Sequence, residues 1–179
     1  MPDVHTKIEA YQGTSPNIAG NAFIHHSAHI IGEVHIGANS SVWCGAVVRG
    51  DVNHITIGDD TNIQDLCTLH VSHIRADSPG SGAALIIGDR VTVGHNVILH
   101  GCEIGDECLI GMGAIIMDHA VLEPHVLLGA GSLVPEGKRL KGGHLYLGSP
   151  VREVRLLTAE ELAYFSYSAA HYVRLQQSY

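Results

Sequence analysis

Aromatic residues make up only 5% of this 179-residue chain, with one Trp and two Phe, so its core is not built from stacked rings. Basic residues are scarce as well: 10 Lys and Arg stand against 18 Asp and Glu, for a net charge of -8. With no basic run beyond Lys138, Arg139 and Lys141, the chain lacks an electrostatic footprint for a phosphate backbone or an anionic membrane surface. Neither nucleic acid nor membrane is expected as a partner. No uncharged apolar run reaches the roughly 18 residues of a membrane span. Met1-Pro2-Asp3-Val4-His5 also lacks a charged leader followed by an apolar stretch, so the chain reads as cytoplasmic. Cys44, Cys67, Cys102 and Cys108 are too few for a disulfide scaffold and include no CxxC pair. They read as small core residues, while spacing alone leaves a redox pair open.

Aliphatic residues and the 21 glycines are abundant, and they recur with a fixed period. Ile30, Ile36, Val42 and Val48 stand six apart. So do Ile57, Ile63 and Leu69, then Ile87, Val93 and Leu99, then Ile104, Ile110, Ile116, Leu122, Leu128 and Val134. Gly often follows the aliphatic residue, and a small or β-branched residue often sits four positions after it, as at Ala46, Thr61, Ala114 and Ser132. Period six fits neither an amphipathic helix nor a hairpin meander. It fits a short flat strand followed by a turn, with three units, about 18 residues, per triangular coil and a rung spacing of roughly 4.8 Å. So narrow a prism has little room for rings, which accounts for the missing aromatics.

The repeat resembles that of hexapeptide-repeat proteins over residues ~18 to 145. That resemblance implies an all-β solenoid, a left-handed parallel β-helix; the left hand comes from the resemblance, since the general crossover rule gives the opposite. The expected organisation is a solenoid domain over 1–145, a connector over 146–157 and a C-terminal helix over 158–179. Thr158-Ala159-Glu160-Glu161 reads as a capping box. Leu162, Phe165, Ala169, Tyr172 and Val173 give the helix an apolar face to pack along the prism. Three interruptions break the period: Val48 to Ile57 is too long, Leu99 to Ile104 is too short, and residues 71–86 read as an extruded loop. Loops on a rigid scaffold are where sites are built.

Fourteen histidines are too many to matter individually, so position on the coil is the filter. If the 71–86 loop bulges out without consuming a face, Val48, Leu69 and Leu99 open the same face of successive coils. Arg49, His70 and His100 then form one outward column, and Asp65 and His95 another, with Gln64 beside them. Two His one rung apart, about 5 Å between Cα atoms, can share one metal ion. An outward pair on a convex prism still needs a third ligand from around the corner or from another subunit, and His95 is the candidate. Three His with one open position is the catalytic zinc arrangement, for which carbonic anhydrase is the standard example. His25, His26, His29, His35, His54, His119, His125, His144 and His171 have no column partner and read as surface or interface residues.

Arg49-Gly50-Asp51, Asn62-Ile63-Gln64-Asp65, Leu69-His70, Gly94-His95-Asn96 and Leu99-His100-Gly101, in that order, resemble the motif set of gamma-class carbonic anhydrases. Leu147-Gly148-Ser149-Pro150 extends the similarity over nearly the whole chain. The resemblance implies a homotrimer that hydrates CO2 reversibly to bicarbonate by a metal-bound hydroxide at the subunit interface. His70 and His100 match ligands from one subunit and His95 the ligand from its neighbour. The implied metal is zinc (Zn2+), with ferrous iron (Fe2+) or cobalt (Co2+) also suited to three imidazoles. Arg49 and Asp51 match an ion pair across the interface, Gln64 the residue that hydrogen-bonds the metal-bound water or hydroxide, and Tyr172 a helix tyrosine that reaches the site in some members. Asp65 is placed to fix a ligand imidazole.

Two acidic residues that shuttle protons in the archaeal form are replaced here by Val52 and His73, and His73 is expected to take over as proton acceptor. Two rival readings accompany this one. The first is a catalytically silent metal-stabilised scaffold or assembly protein. The second is a hexapeptide-repeat acyltransferase, which would need one base rather than three ligands. A redox role for Cys67, near the candidate site, is left open.

Overall fold

The computed structural model describes residues 7–78, 80 and 82–179; Met1–Thr6, including the Met1–His5 segment expected to carry no leader, lie outside the described residues. Each coil is a triangle of short strands, and every aliphatic residue of the period-six pattern points inward. Down the first face Ile30, Val48, Leu69, Leu99, Ile116 and Val134 pair in parallel register. Down the second run Ile36, Ile57, Ile87, Ile104, Leu122 and Leu140. The third carries Ile24, Val42, Ile63, Val93, Ile110 and Leu128, with Tyr146 below them. From Ile30 to Leu140 these side chains are almost fully buried, forming one continuous apolar column. Its lost water contact, at about 25 cal/mol per Å² of apolar surface, drives the stacking. The chain is a parallel β-solenoid with one C-terminal helix.

The corners explain the rest of the repeat. Asn39, Asp60, Arg90, Asn96, Glu107, His119 and His125 adopt positive φ there, a conformation Asn, Asp and His tolerate better than most residues. The Gly after the aliphatic residue faces the next rung's backbone: a Cβ on Gly58 would lie 2.6 Å from the Gly88 carbonyl carbon.

The irregularities in the period shape the site. Strand Val47–Ile57 runs around a corner, and its register against strand His29–Ile36 slips between Gly32 and Val34. Residues near Asp51 therefore bulge outward. The loop after His70 consumes no face, because Ile57 pairs directly with Ile87. It ends earlier than the sequence suggests: Leu85 and Ile86 already belong to strand Leu85–Ile87, since Leu85 is buried opposite Ile55. The connector is also more ordered than expected, with strand Arg152–Leu156 pairing antiparallel to strand His144–Leu147.

The helix, Ala159–Gln176, has the predicted capping box: Thr158 Oγ1 accepts from Glu161 N, and the Glu161 carboxylate accepts from Thr158 N. It lies on the third face, against strands Ser41–Val42 and Thr92–Val93. Phe165 and Ala169 are buried as expected, but Leu162 is 37% exposed, and Ser168 and Gln176 are buried in its stead. The helix is rotated from the purely apolar expectation because the Ser168 hydroxyl meets Thr92 Oγ1 at 2.9 Å. Among the described residues no helix is long and apolar enough to cross a membrane.

Candidate metal centre

The corner after the first face brings together His70 and His100. Parallel pairing sets the two residues directly opposite each other, so the rings meet with centroids 5.1 Å apart. His70 Nδ1 and His100 Nε2 face each other at 3.1 Å. The opposite nitrogen of each ring meets a carboxylate: His70 Nε2 donates to Asp51 Oδ1 at 3.0 Å, and His100 Nδ1 donates to Asp118 Oδ1. With protons on those outer nitrogens, both inner nitrogens present lone pairs. Two imidazole nitrogens on a tetrahedral zinc ion, each about 2.0–2.1 Å from it, stand roughly 3.3 Å apart. The donor set and spacing therefore fit two ligands of a divalent ion. Carboxylate-held outer nitrogens are the usual support for such ligands.

The electrostatics agree. Burial lowers the His70 pKa below the usual value and outweighs the opposing hydrogen bond to Asp51, while the Arg49 charge adds to the lowering. His70 is thereby kept as the neutral imidazole a metal requires. Burial pushes the Asp51 carboxyl up, but hydrogen bonds from Arg49 and His70 and the Arg49 charge hold it below the ordinary carboxylate value. Asp118 follows the same logic, with hydrogen bonds from His100 and Ser72 winning over burial. Within the single chain the Arg49 guanidinium meets the Asp51 carboxylate.

His95 lies at another corner, between the third and first faces. Its Nδ1 donates to Asp65 Oδ2 at 2.8 Å, and its side chain is 50% exposed. Gln64 is buried beside this corner. Its amide donates to Asn62 Oδ1 at 3.1 Å, Asn62 Nδ2 donates to Thr92 Oγ1 at 3.1 Å, and Thr92 meets the helix at Ser168. Tyr172, half-buried against Trp43, belongs to the same corner. Burial and then the Asp65 charge raise its phenol pKa.

The structure thus groups His70, His100, Arg49 and Asp51 at one edge of the first face, and His95, Asp65, Gln64 and Tyr172 at the other. Among the described residues no three His, Cys, Asp or Glu side chains of one chain converge on a common point. His73 is exposed at the start of the loop, and it lines a cleft of about 590 Å³ with Asp51, Val52 and Asn53.

Two participants escape the sequence reading. Asp118 stands 18 residues after His100, so coil spacing could have flagged it, but an Asp two positions after an aliphatic residue looks like an ordinary turn. Ser72 gives its hydroxyl to Asp118 Oδ2 at 2.5 Å and carries no sequence signal. All four cysteines are free thiols. Cys67 is buried with its pKa pushed up to about 11 by burial, a poor starting point for redox chemistry. Cys44 departs from the core expectation, being half-buried, with its thiol pKa raised by burial and by nearby Asp65. His144 is buried rather than superficial, with Nδ1 on the Gly142 carbonyl at 2.7 Å.

Comparison with known proteins agrees with this geometry. A protein-family model described as bacterial transferase hexapeptide (six repeats) matches residues 84–116 and 101–136. The chain is 45% identical to gamma carbonic anhydrase 1, mitochondrial, of Arabidopsis thaliana over 92% of its own length, and spans 59% of that relative's length. It is 42% identical to a probable carbonic anhydrase of Methanocaldococcus jannaschii, covering 90% of this chain and 96% of that one. A crystal structure of a putative acetyltransferase from Bacillus cereus superposes with a TM-score of 0.89 at 44% identity, covering 96% of this chain and 95% of that one. The motif set, the solenoid and these relatives agree, and the chain belongs to the gamma carbonic anhydrase family of hexapeptide-repeat proteins.

Proposed function

We propose that this protein is a homotrimeric metalloenzyme that hydrates CO2 reversibly to bicarbonate. The observation that carries the reading is the pair of facing nitrogens, His70 Nδ1 and His100 Nε2, each with its outer nitrogen on a carboxylate. His95 from a neighbouring copy would be the third ligand. The two half-sites lie on opposite edges of the first face, so one copy's His95 edge can meet the next copy's His70 edge. Three such head-to-tail contacts close a ring. Exposed Ile98, Ile115, Met117, Leu66 and Met112 on and beside that face supply apolar surface for the contact.

A divalent ion, zinc by default and ferrous iron or cobalt by the same donor chemistry, would acidify a bound water so that a nucleophile exists at neutral pH. The chain's own residues do the rest. The Gln64 amide, steadied by Asn62, would orient the attacking oxygen. The Arg49 guanidinium, beside Asp51, would hold the product carboxylate. His73, on the cleft that Asp51 also lines, would carry the released proton to solvent. Tyr172 would close the His95 side of the site.

A second reading is favoured by the transferase names of the family model and of the Bacillus cereus structure, namely acyl transfer from a coenzyme A thioester. Metal-loaded protein is tested by stopped-flow CO2 hydration, with His100→Ala as control and an acetyl-CoA thermal-shift titration alongside. Metal-dependent hydration that disappears in the variant supports the enzyme. One metal per subunit without hydration favours a silent scaffold, and an acetyl-CoA shift favours the transferase.

A further inference from the structure

Asp118 belongs to none of the motifs that marked the site, yet both of its oxygens are committed there. Oδ1 accepts from His100 Nδ1 and Oδ2 accepts from Ser72 Oγ. Space for the carboxylate exists because residue 101 has no side chain. A Cβ on Gly101, at φ +53°, would lie 2.7 Å from Asp118 Oδ1 and 2.6 Å from Ala83 Cβ. Ser72 is itself fixed. Its backbone exchanges hydrogen bonds with Ala83 at 2.9 and 3.1 Å, and its carbonyl accepts from Asn53 Nδ2 at 3.1 Å. The coil of His100, the coil of Asp118, the bulge at Asn53 and the stem of the loop that begins at Val71 are therefore tied at one carboxylate.

We propose that Asp118, held by Ser72, is a positioning residue for His100, and that through it the loop stem governs how tightly the site holds its metal. By accepting the Nδ1–H, Asp118 fixes both the tautomer and the ring orientation, leaving Nε2 as the lone-pair nitrogen directed at the shared position. Asp65 stands in the same relation to His95, with an Nδ1–carboxylate contact of 2.8 Å. The inference rests on the reading of His100 as a metal ligand.

The test uses the full-length protein, stripped and titrated with Zn2+ against a chromophoric chelator, then loaded with Co2+ for its visible absorption spectrum. Asp118→Ala is expected to weaken zinc binding roughly 10–100-fold and to alter the cobalt bands. Asp118→Asn keeps an oxygen that accepts the Nδ1–H, so it is expected to lose less. Ser72→Ala is expected to fall between Asp118→Asn and wild type, and these two variants carry the test if Asp118→Ala fails to fold. Wild-type affinity and an unchanged cobalt spectrum in the Asp118 variants, even with a lowered metal-free melting temperature, would reduce the pair to a structural tie and overturn the proposal. His100→Ala separates the two levels. Zinc binding lost there but intact in the Asp118 variants sinks only the positioning role, whereas wild-type binding that survives His100→Ala sinks the ligand assignment and the positioning role together.

Discussion

His70 shows how a single residue is tuned by its neighbours. Its pKa is lowered from 6.5, chiefly by burial, so the folded state binds the proton less well than the unfolded chain. The resulting stability is fully present above 6.5 and is lost as pH falls through the lower folded value. Asp51 and Asp118, both lowered from 3.8, add a second contribution that is lost only below the ordinary carboxylate range. Metal-free protein is therefore expected to lose melting temperature on acidification in two stages. His70→Gln should flatten the upper stage and, by removing one of the hydrogen bonds that hold the Asp51 carboxyl down, weaken part of the lower one, and melting curves across pH check this. Cys67 makes the opposite case: with its thiol held up near 11 and donating to the Gly94 carbonyl at 3.1 Å, it should react far more slowly than half-exposed Cys44 with a thiol reagent at neutral pH. Mass spectrometry after partial labelling reads the order.

The solenoid rung and the helix are stabilised at different points. A rung tolerates little at the Gly that follows its aliphatic residue, because the next rung's backbone occupies the side-chain position. Gly58→Ala is expected to cost about 1–3 kcal/mol through overpacking, measured by chemical denaturation. Leu99→Ala removes a fully buried residue from the column behind His100 and should cost about 2–5 kcal/mol. The helix depends on its first turn. Thr158→Ala removes one half of the capping box and should cost about 1 kcal/mol, with hydrogen exchange rising first around Thr158–Leu162. Rung and helix also differ in how openly the sequence declares them. The six-residue period marks each inward residue, and Thr158-Ala159-Glu160-Glu161 marks the helix start, since both signals are local. The buried face of the helix is not local: Ser168 faces inward because Thr92, 76 residues away, offers it a partner, and hydropathy alone selects Leu162.

For the molecule as a whole, the proposed site is divided between copies, which gives a genetic test of the assembly. His95→Ala and His100→Ala homo-oligomers should each lack the complete ligand set. Co-expressed, a protomer lacking His100 still offers His95, and a protomer lacking His95 still offers His70 and His100. Random assortment should restore about a quarter of the sites. Metal content and hydration rate of the mixed protein check this. Recovery of neither would place all three ligands within one chain, whereas full metal content in the His95→Ala protein by itself would remove His95 from the site.

The sequence by itself determined the prism, because a strict repeat of apolar residues with small residues at the corners has one way to bury its column. It also pointed to which histidines share a column, but only on the supposition that the loop between Leu69 and Leu99 consumes no face, which the direct pairing of Ile57 with Ile87 supplies. Only the tertiary structure decided what holds those histidines. Asp51 reaches His70 through an irregular bulge, Asp118 reaches His100 from the following coil, and Ser72 reaches Asp118 from a loop stem. Each contact joins residues 18 or more positions apart, and side-chain hydrogen bonds of that range depend on rotamers and backbone irregularities that no local pattern encodes.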